Sequence, residues 1–401
     1  MAGNPLISVE EALARITGAM VPVGMEWVNI AQAHGRVLAQ AVTSNRTQPP
    51  FAVSAMDGYA VRAGDVRGVP VTLRVIGQAP AGGMFGGTVG PGQAVRIFTG
   101  GPVPMGADTI VIQENTQAVG DEVTVNQAAV AGKHIRAEGL DFRDGDVMLT
   151  AGRRLGARDV ALAASMNAPW LSVRRRPRIA LLATGDELVR PGEHAGPHQI
   201  VSSNALGLAA MIASCGGEAV DLGIARDDRD ELRAMAMGAR GADMLITLGG
   251  ASVGDHDLVQ SVLGEAGLKV DFWKIAMRPG KPLIFGQMNG TPMLGLPGNP
   301  VSSMVCGLLF VRPAIAALLG ETGQTNHTGM AILGADMGPN DNRQDYVRAS
   351  LSPDGVATPF NVQDSAMLSS LAQAGCLIIR PPFAPAAKAG DSVQVLLLAA
   401  D

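Results

Sequence analysis

Several residues of this 401-residue chain have the types and spacing that chemistry requires. The stretch LITLGGASVGDHDLV, 245–259, starts as an apolar run, breaks at Gly249 and Gly250, and ends with Asp255 and Asp257. A strand that turns through glycines into a helix exposes backbone N–H groups and cradles anions. Carboxylates beside such an anion would repel it by about 4 kcal/mol for unit charges 4 Å apart in a partly shielded site. A divalent cation between them removes the conflict. Asp257, Asp227 of ARDD (225–228) and Glu187 of TGDE (184–187) are the candidate ligands of that ion. Asp228 and Asp255 read instead as helix N-caps.

Positive charge follows downstream. FWKIAMRPGKPLIFG, 272–286, carries Lys274, Arg278 and Lys281 on a short strand and a Pro-Gly turn. LGLPGNPVSS, 294–303, opens a long apolar helix. Its turn, Pro297, Gly298, Asn299 and Pro300, is expected to present free N–H groups and the Ser302 hydroxyl to a ligand oxygen.

Other chemistries fit less well. The 245–259 stretch lacks the Lys-Ser/Thr ending of a P-loop and the glycine spacing of a dinucleotide fingerprint. Gly250, Ser252 and Gly254 do match the G-x-S-x-G nucleophile elbow, but only His327 lies downstream as a base and no HGG oxyanion loop occurs upstream. Cys215, Cys306 and Cys376 stand in apolar settings without CxxC spacing, as packing residues do. His194 and His198 have zinc-helix spacing, yet Gly and Pro lie between them.

These residues need a scaffold. The chain is too long for one core and divides into two to four domains. It is 47% hydrophobic and 17% charged, a globular composition, and no apolar run is expected to cross a bilayer. The start, MAGNPLISVEEALARI, lacks the pattern of a secretory signal, so a cytoplasmic location is expected. A formal net charge of -5 argues against nucleic acid. With 51 Gly and 25 Pro, many tight turns and short strands are expected.

The expected fold class is α/β plus β, multidomain. Residues 1–50 read as mostly helical, with Ser8 and Glu11 forming a capping box, and group with 140–176 as a mixed helical linker domain. Residues 51–139 alternate short strands with Gly and Pro and read as a small β domain. From 177 to 325 strands and helices alternate (RIALLATG, SNALGLAAMIASCG, EAVDLGIA, DRDELRAMAMGAR, DMLITLGG), the pattern of a right-handed βαβ sheet whose ligands gather at the strand carboxyl ends. Residues 326–401 return to strands (YVRASL, CLIIRPP, SVQVLLL) as a second β domain.

Seven stretches occur in the order found in one family: SAMDGYA (54–60), TGGPVPMGADTIVIQE (99–114), GLDFRDGDVMLTAG (139–152), TGDEL (184–188), GGASVGDHD (249–257), MRPGKP (277–282) and LPGNPVSS (296–303). The chain resembles molybdopterin molybdenumtransferase, which inserts molybdate into adenylyl-molybdopterin and releases AMP; the E domain of gephyrin is similar. The resemblance implies an elongated four-domain homodimer, a central mixed α/β domain of the molybdopterin-binding type, and a site completed by the partner subunit. It also implies Mg2+, and an upstream molybdopterin adenylyltransferase as the partner that hands over substrate.

By that resemblance the catalytic candidates are Asp257, Asp227, Glu187, Lys274, Arg278, Asp57 and Asp141, with Asp257, Asp227 and Glu187 holding the metal. Thr99, Gly249, Gly250, Ser252, Gly254, Lys281, Pro297, Gly298, Asn299, Pro300 and Ser302 bind the pterin and its phosphates, and Arg348 and Ser365 bind molybdate. Arg348 suits an oxyanion because a fixed fork of donors matches one. The chain departs from the family where Arg278 replaces a common Lys and where QDS, with Asp364, replaces a usual Gly-Ser. A tungstate-inserting paralogue and a binding scaffold of the same fold are the alternatives.

Overall fold

The computed structural model describes residues 6–250, 258–323 and 326–398; Ser252, Gly254, Asp255 and Asp257 lie outside the described residues. The part that positions the site is a six-stranded sheet. Its spatial order is Glu218–Ala225, Arg178–Thr184, Met244–Leu248, Thr291–Leu296, Pro282–Met288, Leu268–Lys274; the first four strands run parallel, and Pro282–Met288 runs antiparallel to both of its neighbours. Every residue of Met244–Leu248 is buried, as an inner strand covered on both faces must be. Alternate side chains then feed two cores. Ile179, Leu181 and Ala183 pack with Leu208, Ile212, Val301 and Val305, while Ala180 and Leu182 pack with Leu232, Ala236, Val259 and Val262.

The helix after the PGNP turn is longer than the expectation of no bilayer-length apolar run allows. Pro300–Leu318, 19 residues with mean hydropathy 1.8, is long and apolar enough to cross a membrane, but 78% of it is buried inside the protein. It is a core helix. Its middle, Gly307–Val311, is a π turn that ends two residues before Pro313. Proline has no N–H to give to the carbonyl four residues earlier and crowds it, and widening the turn relieves that clash.

Residues 6–50 are less helical than the reading of 1–50 as mostly helical expects. Helix Val9–Gly18 forms, and Ser8 Oγ accepts from Glu11 N at 3.0 Å. The Glu11 carboxylate turns to Arg15 instead of closing the box. Beyond Pro22 the β-favouring MEWVN makes strand Met25–Asn29, which pairs antiparallel with Trp170–Arg174. Strand Val42–Thr43 likewise pairs with Val147–Leu149.

Two further six-stranded sheets complete the chain. In one, Gly58–Val61 and Gln93–Ile97 lie at the centre, flanked by Thr109–Ile112 and by Val71–Ala79 with the hairpin of Thr116–Val119 and Glu122–Val125. In the other, Gln344–Leu351, Val356–Pro359, Thr328–Leu333, Ser392–Leu397 and Cys376–Arg380 close into a barrel, because Gln344–Leu351 also pairs with Cys376–Arg380. The short strand Met277–Arg278 of the α/β part pairs with this barrel.

Candidate functional site

A crevice of about 1070 Å³ opens at the carboxyl ends of the parallel strands. Glycines shape its floor. Gly249 and Gly250 have φ of 94° and 65°. A Cβ on Gly249 would lie 2.7 Å from the Thr184 carbonyl oxygen, and one on Gly250 2.2 Å from Val259 Cγ2. Only glycine keeps this turn. Gly298 of the PGNP turn comes close to it: a Cβ there would touch Gly249 Cα at 3.7 Å. The two turns expected from sequence therefore meet, and Gly249, Gly250, Pro297, Gly298, Asn299 and Pro300 all line the crevice.

Glu187 and Asp227 line it too. The Glu187 carboxylate folds over Gly185, where a Cβ would fall 2.4 Å from Glu187 Oε2. Asp227 N–H donates to Asp186 Oδ1 at 3.2 Å, tying two strand ends together. Asp228 caps its helix, accepting from the N–H groups of Asp230 and Glu231. Side chains from beneath fix the PGNP turn: Asn204 Nδ2 donates to Gly298 O at 2.7 Å, and Ser303 Oγ donates to Pro297 O.

The helix end is less open than expected. Pro300 has no N–H, and the Val301 N–H donates at 3.1 Å to the carbonyl of Ser365 in the C-terminal domain. Ser302 is buried and stays outside the lining. Ser365 thus meets the crevice through its backbone, and the adjacent Ala366 lines it.

Three family models match the chain: "MoeA N-terminal region (domain I and II)" over residues 7–167, "Probable molybdopterin binding domain" over 180–317, and "MoeA C-terminal region (domain IV)" over 330–398. A molybdopterin molybdenumtransferase of Nostoc sp. is 36% identical over 93% of this chain and 88% of its own length. The chain belongs to the molybdopterin molybdenumtransferase family. A relative of that name from Bacillus subtilis is 35% identical over 98% of this chain and 94% of its own. The crystal structure of a molybdopterin biosynthesis MoeA protein from Pyrococcus horikosii superposes with a TM-score of 0.84 at 32% identity, covering 98% of this chain and 99% of that one.

Other candidates suggested by likeness to molybdopterin molybdenumtransferase stand away from the crevice lining. Arg278 is ion-paired to Asp341 at 3.4 Å and to Asp345, both in the C-terminal domain. The ammonium of Lys274 rests 4.5 Å above the Trp273 ring, and Lys281 is exposed beside the lining residue Pro282. Arg348 is only 2% exposed. Its guanidinium donates to Gln363 Oε1, Met367 O and Ser370 Oγ, and burial lowers its pKa. Nε and Nη1 of the fork expected for an oxyanion hold a loop of its own domain.

Asp57 and Thr99 do come together, but in the 51–139 sheet. Asp57 Oδ1 accepts from Thr99 N–H and Oγ1–H, each at 2.7 Å, and these bonds hold its carboxyl below the usual range. Asp141 is exposed, with its N–H donating to Gln48 O. None of the three lines the crevice in a single chain. His194 and His198 lie exposed without a helix between them, and no group of three or more potential metal-binding side chains occurs among the described residues.

Sequence reasoning missed Arg229, Asn204 and Ser261, all of which line the crevice. Arg229 carried a signal: it is the first residue of helix Arg229–Ala236, the end where the helix dipole disfavours a cation. Asn204 and Ser261 carried none, since their positions depend on how the helices pack.

Proposed function

We propose that this chain inserts molybdate into adenylyl-molybdopterin, releasing AMP and leaving molybdenum on the pterin dithiolene, as a cytoplasmic homodimer supplied by an upstream molybdopterin adenylyltransferase. The observation that carries the reading is the meeting of two glycine turns and two carboxylates in one crevice, in a chain whose likeness to molybdenumtransferases runs nearly end to end. The names of those relatives supply the pterin and the metal.

The crevice suits Mg2+, which typically takes one or two carboxylates and completes its shell with substrate phosphates and water. Asp227 and Glu187 would hold it, with Asp257 of the GDHD stretch as the further candidate. When bound, the ion supplies neutralising charge at the phosphates. The chain's own groups position the substrate: the Gly249–Gly250 turn leaves room for close backbone approach, and Asn204 and Ser303 keep the PGNP turn rigid against it. Asp57, Thr99 and Asp141 fit the reading through the dimer, in which the partner subunit would bring its copies to the cleft.

The test is AMP release from adenylyl-molybdopterin by the purified protein with molybdate and Mg2+. Turnover should depend on both ions, and Asp227→Asn should lower it at least tenfold with little change in melting temperature, because an exposed acid adds little to stability. A wild-type protein that releases no AMP refutes the proposal.

A further inference from the structure

Two carboxylates face a crevice proposed to take an anion, so the source of positive charge is the open question. The basic residues expected to supply it are committed elsewhere or stand outside the lining. Among the described lining residues, Glu187, Asp227 and Arg229 carry charge, and Arg229 is the one cation.

Its surroundings leave it able to bind. Arg229 Nη1 donates to Ser261 Oγ at 3.1 Å and Nη2 to Glu265 Oε1 at 2.5 Å. That uses two of the five N–H donors of a guanidinium. Glu265 is shared with Arg233, whose Nη2 donates to its other oxygen at 2.8 Å and whose Nη1 donates to Asp230 at 3.2 Å, so Glu265 is not Arg229's alone. Stability does not explain the placement. The Arg229–Glu265 pair is about half exposed, where such pairs contribute little, and an arginine at the first helical position opposes the helix dipole.

We infer that Arg229 is a phosphate-recognition residue of the crevice: Ser261 and Glu265 aim its guanidinium, and its remaining N–H groups bind the phosphate of the adenylated substrate. The assignment rests on the proposed function and deepens it. A planar fork two residues from Asp227 offers charge-assisted hydrogen bonds to phosphate oxygens on one side while the carboxylates hold their cation on the other.

The experiment is calorimetric titration of the full-length protein with AMP and, separately, with adenosine. Arg229→Gln should weaken AMP about tenfold, equivalent to about 1.4 kcal/mol, and leave adenosine unchanged. Arg229→Lys should recover part of the loss. Arg233→Gln cuts the other bond to Glu265 without touching the crevice, and should leave AMP affinity at the wild-type value. Equal AMP binding by wild type and Arg229→Gln overturns the assignment. So does an equal loss for adenosine, which would put the guanidinium on the base, or an equal loss in Arg233→Gln, which would reduce Arg229 to a prop. A wild-type protein that binds neither compound brings down the functional proposal together with this one.

Discussion

Replacing Arg278 separates two roles that sequence and structure assign to it. The sequence makes it an anion ligand; the structure makes it a clasp between the α/β part and the C-terminal barrel. Its partner Asp345 is 12% exposed at the side chain, and Asp345 Oδ1 is buried with no hydrogen-bond partner among the described residues. Arg278 therefore carries the pairing of that carboxylate. Stranding a fully buried charge costs about 3–5 kcal/mol. Arg278 itself is 49% exposed, so water softens the loss, and about 2 kcal/mol is expected for Arg278→Met. The second pair, to Asp341, is 43% exposed on the acid side and adds less than about 1 kcal/mol. Asp345→Asn in the Arg278→Met background should recover most of the loss, giving a coupling energy of about 1–2 kcal/mol in a double-mutant cycle. Urea denaturation reads the total, and hydrogen exchange at the Met277–Arg278 pairing with Gln344 and Asp345 reads the clasp itself. Unchanged stability and exchange, with a tenfold rise in the molybdate concentration needed for AMP release, would refute the clasp and restore the anion ligand.

Three further outcomes follow from the geometry. Thr99→Val removes the Oγ1–H donor, so the Asp57 pKa should rise toward the ordinary aspartate value in a carboxyl NMR titration; because the folded pKa is depressed, the stabilisation is present above the unfolded value and is lost as pH falls through the folded one, and an unmoved pKa contradicts this. Gly250→Ala combines a positive φ with a contact to Val259 Cγ2, and should cost about 2 kcal/mol or more in thermal unfolding, partly recovered by Val259→Ala; a neutral effect would mean the turn is not held as described. Arg348→Met removes the donor to Ser370 Oγ and one of the two donors to Met367 O, which keeps the Ser370 hydroxyl, and should cost about 1–3 kcal/mol in denaturant; intact stability with a raised molybdate requirement would favour oxyanion recognition.

The α/β sheet was readable because its inner strands Arg178–Thr184 and Met244–Leu248 are apolar runs ending at glycine, and strands alternate with helical segments, one of them capped by Asp228. Chain chemistry alone brought Glu187, Asp227, the Gly249–Gly250 turn and the PGNP turn to one rim, since βαβ connections deliver strand ends to the same side. Arg278 and Arg348 have partners that were not legible, for one reason. A sequence shows that a cation stands near a turn, but not that an acid from a domain 60 residues on, or a carbonyl in a neighbouring loop, has already claimed it. Met25–Asn29 was lost because its partner strand lies at Trp170–Arg174, far outside any local window. Arg229 went unnoticed because the polar strand end was taken to finish at Asp228.

The Pro300–Leu318 helix joins two distant parts of the chain. At 19 residues it is about 28 Å long. One tip lines the crevice and takes the Ser365 carbonyl; at the other, Leu318 O receives the N–H of Val23, just before Thr322 N–H donates to Gly152 O and Glu321 grips Arg154 through both carboxylate oxygens. Crevice wall and anchor are thus opposite tips of a single rod. Unwinding it would strip the crevice of that wall and cast off the amino-terminal segment in the same event, so the crevice's shape and the attachment of that distant arm stand or fall together.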